Sequence, residues 1–197
     1  MSARETKRRA TRERLLEAAV AEFKRDGMAS ADIGAIVSAA GVAHGTFFFH
    51  FPTKEHVLLE LERREELRIA ESLTAFFDTP HSVEDTLNQM VRELEDLEER
   101  LGSKLFKDFL ALHFSTTRPP QEEWEHHPVI ITVIDELQRA RTRGELPPET
   151  DVFHHGVFYL LGMYALLATI PGSPQPRNPI VDKYVTIALQ GMTADPG

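Results

Sequence analysis

The chain has no cysteine among its 197 residues. Disulfides, cysteine-ligated zinc sites and a cysteine nucleophile are therefore excluded. The N-terminal residues lack the apolar run and small-residue cleavage site of a secretory signal. The longest apolar stretch, Val157–Ile170, is interrupted by Gly162 and falls short of the roughly 20 apolar residues that span a bilayer. These absences predict a soluble, cytoplasmic protein.

Basic residues are in the minority, and the formal net charge is −9. Taken alone, this charge argues against a nucleic-acid partner. The distribution reverses that impression, because residues 1–54 carry a net charge of +3 and the remainder a net charge of −12. A basic front end on an acidic body suits binding to a polyanion in one orientation. The alternative is a basic N-terminus that is simply solvated and disordered.

Strand-like alternation is scarce, and apolar residues recur at steps of three and four, which predicts an all-α protein. The cleanest pattern lies in Val83–Leu101, where an apolar stripe faces a charged side, as in a helix packed in a bundle. Ser30 is expected to cap the second helix. Nine helices are predicted, over about residues 11–25, 32–39, 44–50, 54–77, 83–101, 104–114, 128–143, 151–170 and 180–192.

The second and third predicted helices are joined by a tight turn that contains glycine. This is the layout of a helix-turn-helix, whose second helix enters the major groove of DNA. The segment Ile36–Glu55 has the sequence IVSAAGVAHGTFFFHFPTKE. Together with Arg12–Phe23 and Gly27, it resembles the signature of the tetracycline-repressor (TetR) family of bacterial regulators. The resemblance covers about the first fifty residues, and Arg141–Leu146 also resembles a family segment between helices seven and eight.

Two positions depart from the family pattern. Phe48 stands where the family usually has a tyrosine whose hydroxyl bonds a DNA phosphate, and Ala43 stands where a serine or threonine usually caps the recognition helix. Each loss is worth on the order of 1 kcal/mol. These departures motivate a rival interpretation, a helical enzyme or ligand carrier with a vestigial DNA-binding head. However, the sequence has no G-x-S-x-G, glycine-rich phosphate loop or H-E-x-x-H motif.

The resemblance implies a three-helix DNA-binding domain over residues 1–53 and a six-helix effector-binding and dimerisation bundle over residues 54–197. It implies a homodimeric repressor, not an enzyme, that a small, mostly apolar effector releases from a palindromic double-stranded DNA operator. Residues 157–168 are apolar around the whole circumference, so we expect helices eight and nine to form the dimer interface. Gly156 and Gly162 are expected to let the partner approach closely. No cofactor and no membrane partner are expected.

Several residues of the motif are expected to contact DNA. His44 and Thr46, at the start of the third helix, are placed to contact base edges. Lys54 is placed to meet a phosphate, and Arg8 and Arg9 are expected to reach DNA as a flexible arm. The full expected set is Arg8, Arg9, Ser30, Ala43, His44, Gly45, Thr46, Phe48, Phe49, His50 and Lys54.

The phenylalanines of the motif divide by helical position. Burial is the usual state of phenylalanine, so we expect Phe47 and Phe51 to belong to the core. Phe48 and Phe49 cannot both point inward from one helix, which predicts that they lie on the surface or face DNA.

Aromatic residues gather in helices six to eight. Ordinary core packing is one explanation, and an apolar effector pocket with a few polar groups is the other. The expected pocket residues are Phe109, His113, Trp124, Tyr159 and Met163. The chain has nine histidines, but none shows the paired spacing of a helical zinc site, so no metal is expected.

Overall fold

The computed structural model describes residues 2–116, 118–119, 127–170 and 178–194. Within these ranges the chain forms nine α-helices and no strand, which confirms the all-α prediction. The helices are α1 (Ala3–Asp26), α2 (Ile33–Ala39), α3 (His44–His50), α4 (Lys54–Phe77), α5 (Val83–Leu101), α6 (Ser103–Leu112), α7 (Pro128–Thr142), α8 (Val152–Thr169) and α9 (Pro179–Thr193).

The chain divides into two compact units. The first comprises Met1–Arg64 and Glu98–Pro120, and the second comprises Glu65–Leu97 and Gln121–Gly197. This division does not coincide with the predicted boundary after residue 53. The first unit extends further because α4 is continuous across that boundary and α6 packs against α1. The assignment of DNA binding to residues 1–53 and of effector binding to residues 54–197 stays a prediction.

The core of the first unit forms around one face of α1. Leu15, Ala19 and Phe23 are fully buried there, as are Phe47 of α3 and Phe51 just after it. α1 packs against α2 and α6, and α2 packs against α3. A shared apolar core therefore fixes α3 against the rest of the unit.

The first helix begins at Ala3 rather than near residue 11. A capping box explains the earlier start: the Ser2 hydroxyl accepts a hydrogen bond from the Glu5 amide at 3.2 Å, and the Glu5 carboxylate accepts one from the Ser2 amide at 2.7 Å. These bonds from Ser2 lower the pKa of the Glu5 carboxyl. The prediction of a flexible arm was therefore wrong, since Arg8 and Arg9 lie within a capped helix.

The second helix is capped by Asp32, not by Ser30. The Asp32 carboxylate accepts hydrogen bonds from the amides of Gly34 at 2.8 Å and Ala35 at 3.3 Å. Ser30 lies exposed in the preceding turn. Asp32 takes the capping role because it directly precedes the first helical residue.

In the second unit, α8 packs against α7 and α9. A Cβ atom added at Gly162 would lie 2.1 Å from the Tyr184 hydroxyl oxygen, and one at Gly156 would lie 3.1 Å from an Ile134 carbon. Both glycines therefore admit side chains of the same chain, and the expectation that they face a partner copy was wrong. α8 is also long and apolar enough to cross a membrane, with 39% of it buried in the structure. The core helix of a protein outside a membrane can have the same length and composition, so these two properties do not show that α8 spans a membrane.

Candidate nucleic-acid interface

The turn between α2 and α3 has a defined geometry. The two helix axes differ in direction by 95°, within the range of about 90–120° for a helix-turn-helix. Gly41 adopts a φ of 64°, which a residue with a Cβ atom rarely adopts. The Val42 amide then donates to the Val37 carbonyl at 3.0 Å, and this bond closes the turn.

The N-terminal end of α3 is open to solvent. Ala43 precedes the helix without a side-chain capping bond, as its sequence predicts. His44 and Gly45 are exposed and Thr46 is half-buried. Among the described residues, and apart from its chain neighbours and the backbone of its own helix, no atom lies within 4 Å of the position that a Cβ at Gly45 would occupy, so another backbone can approach closely there.

The four phenylalanines divide as predicted. Phe47 and Phe51 are fully buried, whereas Phe48 is 45% exposed and Phe49 is 68% exposed. The burial prediction is thus confirmed, and a role of Phe48 and Phe49 in DNA contact stays a prediction.

Arg12 braces α3 against its neighbours, a role that the sequence did not reveal. Its guanidinium donates to the backbone carbonyl of His50 and, at 3.0 Å, to the Glu60 carboxylate. It also lies 4.1 Å from the centroid of the Phe51 ring. One side chain thereby joins α1, the end of α3 and the second turn of α4.

The His50 side chain is buried, although the sequence predicted a DNA contact, which needs a position at the surface. Burial lowers the pKa of His50, and the positive charges of Arg12 and Arg8 lower it further. The imidazole is therefore biased toward its neutral form.

Lys54 is fixed at the N-terminus of α4. Its ammonium donates to the backbone carbonyls of Met28 and Ala29, both at 3.0 Å. An ammonium has three protons, so one remains for a further acceptor. The predicted phosphate contact of Lys54 is compatible with this arrangement. A surface groove of ≈ 360 Å³ lies beside it, bordered also by Phe48 and Thr53.

Arg8 and Arg9 point in different directions from α1. The Arg8 guanidinium lies 5.5 Å from the centroid of the Phe49 ring on α3. Arg9 lies one turn before Glu13 in α1; hydrogen bonds from Arg64 lower the pKa of the Glu13 carboxyl, and the charge of Arg9 adds to this effect. Arg8 thus contacts the surface around α3, whereas the charge of Arg9 acts on Glu13.

The expected effector residues are divided between the two units. Phe109 and His113 lie in the first unit, and Tyr159 and Met163 lie in the second; Trp124 lies outside the described residues. The Tyr159 hydroxyl donates to the buried Leu87 carbonyl at 2.8 Å. Tyr159 therefore already uses its donor inside its own unit, and the predicted pocket stays a prediction.

Two buried carboxylates of α4 hold histidines. In the first unit, Glu62 lies 2.7 Å from the His113 imidazole and 2.9 Å from the Arg118 guanidinium. In the second unit, Glu66 lies 2.8 Å from the His127 imidazole. Carboxylate and imidazole are both zinc ligands, so each pair offers two candidate donors. Sequence reasoning missed both pairs because the partners are distant along the chain.

Comparison with known proteins agrees with this geometry. A sequence profile of the family described as bacterial regulatory proteins, tetR family, matches residues 15–61. The chain is 37% identical to the transcriptional regulator AcrR of Shigella flexneri over 71 residues, which are 35% of this chain and 33% of AcrR. It thus spans about a third of that relative. It is 26% identical to the repressor AcnR of Corynebacterium efficiens over 142 residues, 72% of this chain and 71% of AcnR.

Solved structures share the fold at low sequence identity. FadR of Thermus thermophilus, determined in complex with lauroyl-CoA, superposes with a TM-score of 0.65 at 22% identity, over 94% of this chain and 97% of FadR. RolR superposes with a TM-score of 0.66 at 14% identity, over 93% of this chain and 91% of RolR. At such identities the likeness concerns the fold alone.

Proposed function

Because this chain belongs to the tetR family of bacterial regulatory proteins, we propose that it is a homodimeric transcriptional repressor. In this proposal the dimer binds a palindromic DNA operator and a small, mostly apolar effector releases it. The observation that carries the proposal is the open N-terminus of α3, set at 95° to α2.

DNA recognition rests on the start of α3. His44 and Thr46 supply an imidazole and a hydroxyl with a methyl group, which can bond base edges and touch a thymine methyl. Gly45 leaves room for the backbone of the helix to approach. Lys54 supplies a phosphate contact that is independent of sequence.

Dimerisation is supported by apolar side chains on the outside of α8 and α9. Phe158 is 64% exposed and Leu161 is 42% exposed on α8, while Ile180 and Ile187 are 54% and 55% exposed on α9. Apolar side chains exposed together mark an interaction surface. A two-fold dimer matches a palindrome, with recognition helices about 34–36 Å apart or in a related register.

An apolar effector is supported by the fold and by the aromatic content of the chain. A protein of the same fold holds lauroyl-CoA, so the fold accommodates an acyl chain. Within the first unit, Phe109 is buried and supplies apolar surface. One oxygen of Glu62, Oε2, is buried without a hydrogen-bond partner among the described residues, and it can accept a bond from a polar group of the effector.

The experiment compares two variants on one duplex, chosen from sequences that the purified chain enriches from a random library. Lys54→Ala should weaken binding to all duplexes alike and reduce the salt dependence. Thr46→Ala should change the base preference instead. If Thr46→Ala leaves both affinity and preference unchanged, α3 is not the recognition helix and the proposal fails.

A further inference from the structure

The first two turns of α1 carry a basic stripe. Arg4, Lys7, Arg8 and Thr11 follow one another at steps of three, one and three, which places them on one side of a helix. The three basic side chains are exposed. Because the capping box at Ser2 starts the helix before this stripe, the stripe has a fixed orientation.

This basic stripe forms one wall of a groove whose other wall is α3. The groove has a volume of ≈ 420 Å³, and Thr46 and Phe49 of α3 line it together with the stripe. The Arg8 guanidinium lies 5.5 Å from the centroid of the Phe49 ring, within cation–π range. The stripe and the exposed face of α3 therefore form one continuous surface.

The chemistry of this groove suits a sugar–phosphate strand. Three cations line it against a single carboxylate, Glu5, and that carboxylate already accepts the Ser2 amide at 2.7 Å. Guanidinium and ammonium groups bind phosphate oxygens, while the exposed ring of Phe49 offers an apolar surface to a deoxyribose. Thr46, in the same groove, is also a candidate for base contact.

We propose that the basic stripe of α1 is a second DNA-contacting surface, which binds backbone phosphates of the strand that borders α3. The inference rests on the proposed function and adds Arg4 and Lys7 to the DNA-binding residues. It also assigns different roles to two adjacent arginines: Arg8 binds DNA, and Arg9 does not. A capped helix loses less conformational freedom on binding than a flexible arm does.

The chain offers its own matched control. Arg8→Ala and Arg9→Ala remove the same charge from neighbouring exposed positions of α1. The logarithm of the DNA affinity falls linearly with the logarithm of the salt concentration, and each phosphate contact adds about 0.9 to the steepness of this slope. When one contact is lost, the fall in affinity between about 50 and 200 mM salt is smaller by a factor of about 3.5. We expect Arg8→Ala to reduce the salt slope by this amount for each chain of the dimer. Arg4→Ala/Lys7→Ala should reduce it more, and Arg9→Ala should leave it unchanged.

Binding is measured by fluorescence anisotropy of a labelled duplex that the full-length protein enriches from a random library. Thermal melting of each variant confirms that α1 remains folded. Hydroxyl-radical footprints should lose the backbone protection beside the basic stripe in the Arg4→Ala/Lys7→Ala variant, while the backbone protection beside α3 persists. Equal salt slopes for Arg8→Ala and Arg9→Ala overturn this inference and leave the proposed function intact. A wild-type chain that enriches no duplex overturns both.

Discussion

Replacing Arg12 tests whether a single side chain holds the recognition helix in place. The guanidinium of Arg12 contacts the His50 carbonyl, the Glu60 carboxylate and the Phe51 ring. Arg12→Ala removes all three contacts. Arg12→Lys keeps the charge but loses the planar fork that serves the two acceptors at once.

The expected loss follows from the exposure of the partners. The side chains of Arg12 and Glu60 are 36% and 25% exposed, so their ion pair is partly screened and contributes less than about 1 kcal/mol. The bond to the His50 carbonyl has a charged donor and contributes about 1.5 kcal/mol, and the Phe51 contact about 0.5 kcal/mol. We expect Arg12→Ala to lower the free energy of unfolding by about 2 kcal/mol, and Arg12→Lys by about half of that.

Urea denaturation of the two variants measures this difference, with Arg14→Ala as a control at an exposed position of the same helix. A second readout is independent of stability. Because the charge of Arg12 contributes to the lowered pKa of His50, the His50 pKa measured by NMR should rise in Arg12→Ala. If Arg12→Ala is no less stable than Arg14→Ala and the His50 pKa does not move, the bracing role is refuted.

Gly162→Ala should lower the free energy of unfolding by about 1–3 kcal/mol through overpacking, because its Cβ would lie 2.1 Å from the Tyr184 hydroxyl oxygen. In urea denaturation, the same substitution should cost less when it is made in the Tyr184→Ala variant, where the clashing side chain is absent. Burial and nearby positive charges lower the pKa of His50 in the folded chain. As the pH falls, the unfolded chain therefore binds a proton at His50 before the folded chain does. Stability in urea should therefore decline as the pH falls below about 6.5, and His50→Gln should flatten the decline. Phe158→Glu, on the exposed face of α8, should weaken dimerisation more than about tenfold in sedimentation, whereas Ile131→Glu on α7 should not; equal effects would contradict the assigned interface.

The sequence predicted α3 well because strong local signals bound it. Gly41 precedes the helix and Pro52 follows it, and the helical period separates buried Phe47 from exposed Phe49. The fold class followed from the same periodicity in the longer helices. These features depend on neighbours along the chain, which a single sequence displays.

The start of α1 was missed because its first residues are charged and have no apolar period. The signal was nevertheless present, since Ser2 and Glu5 have the spacing of a capping box. The contacts of Arg12 with Glu60 and of Glu62 with His113 could not be predicted. They join residues from different helices, and only the packing of those helices brings them together.

Sequencing the duplexes that the purified chain enriches from a random library tests whether α3 recognises DNA. We expect a near-palindromic site with two half-sites about one helical turn apart or in a related register. His44→Ala or Thr46→Ala should shift the enriched bases within each half-site. Enrichment of no sequence, or of the same sequence by the wild type and both variants, would contradict the claim that α3 recognises DNA.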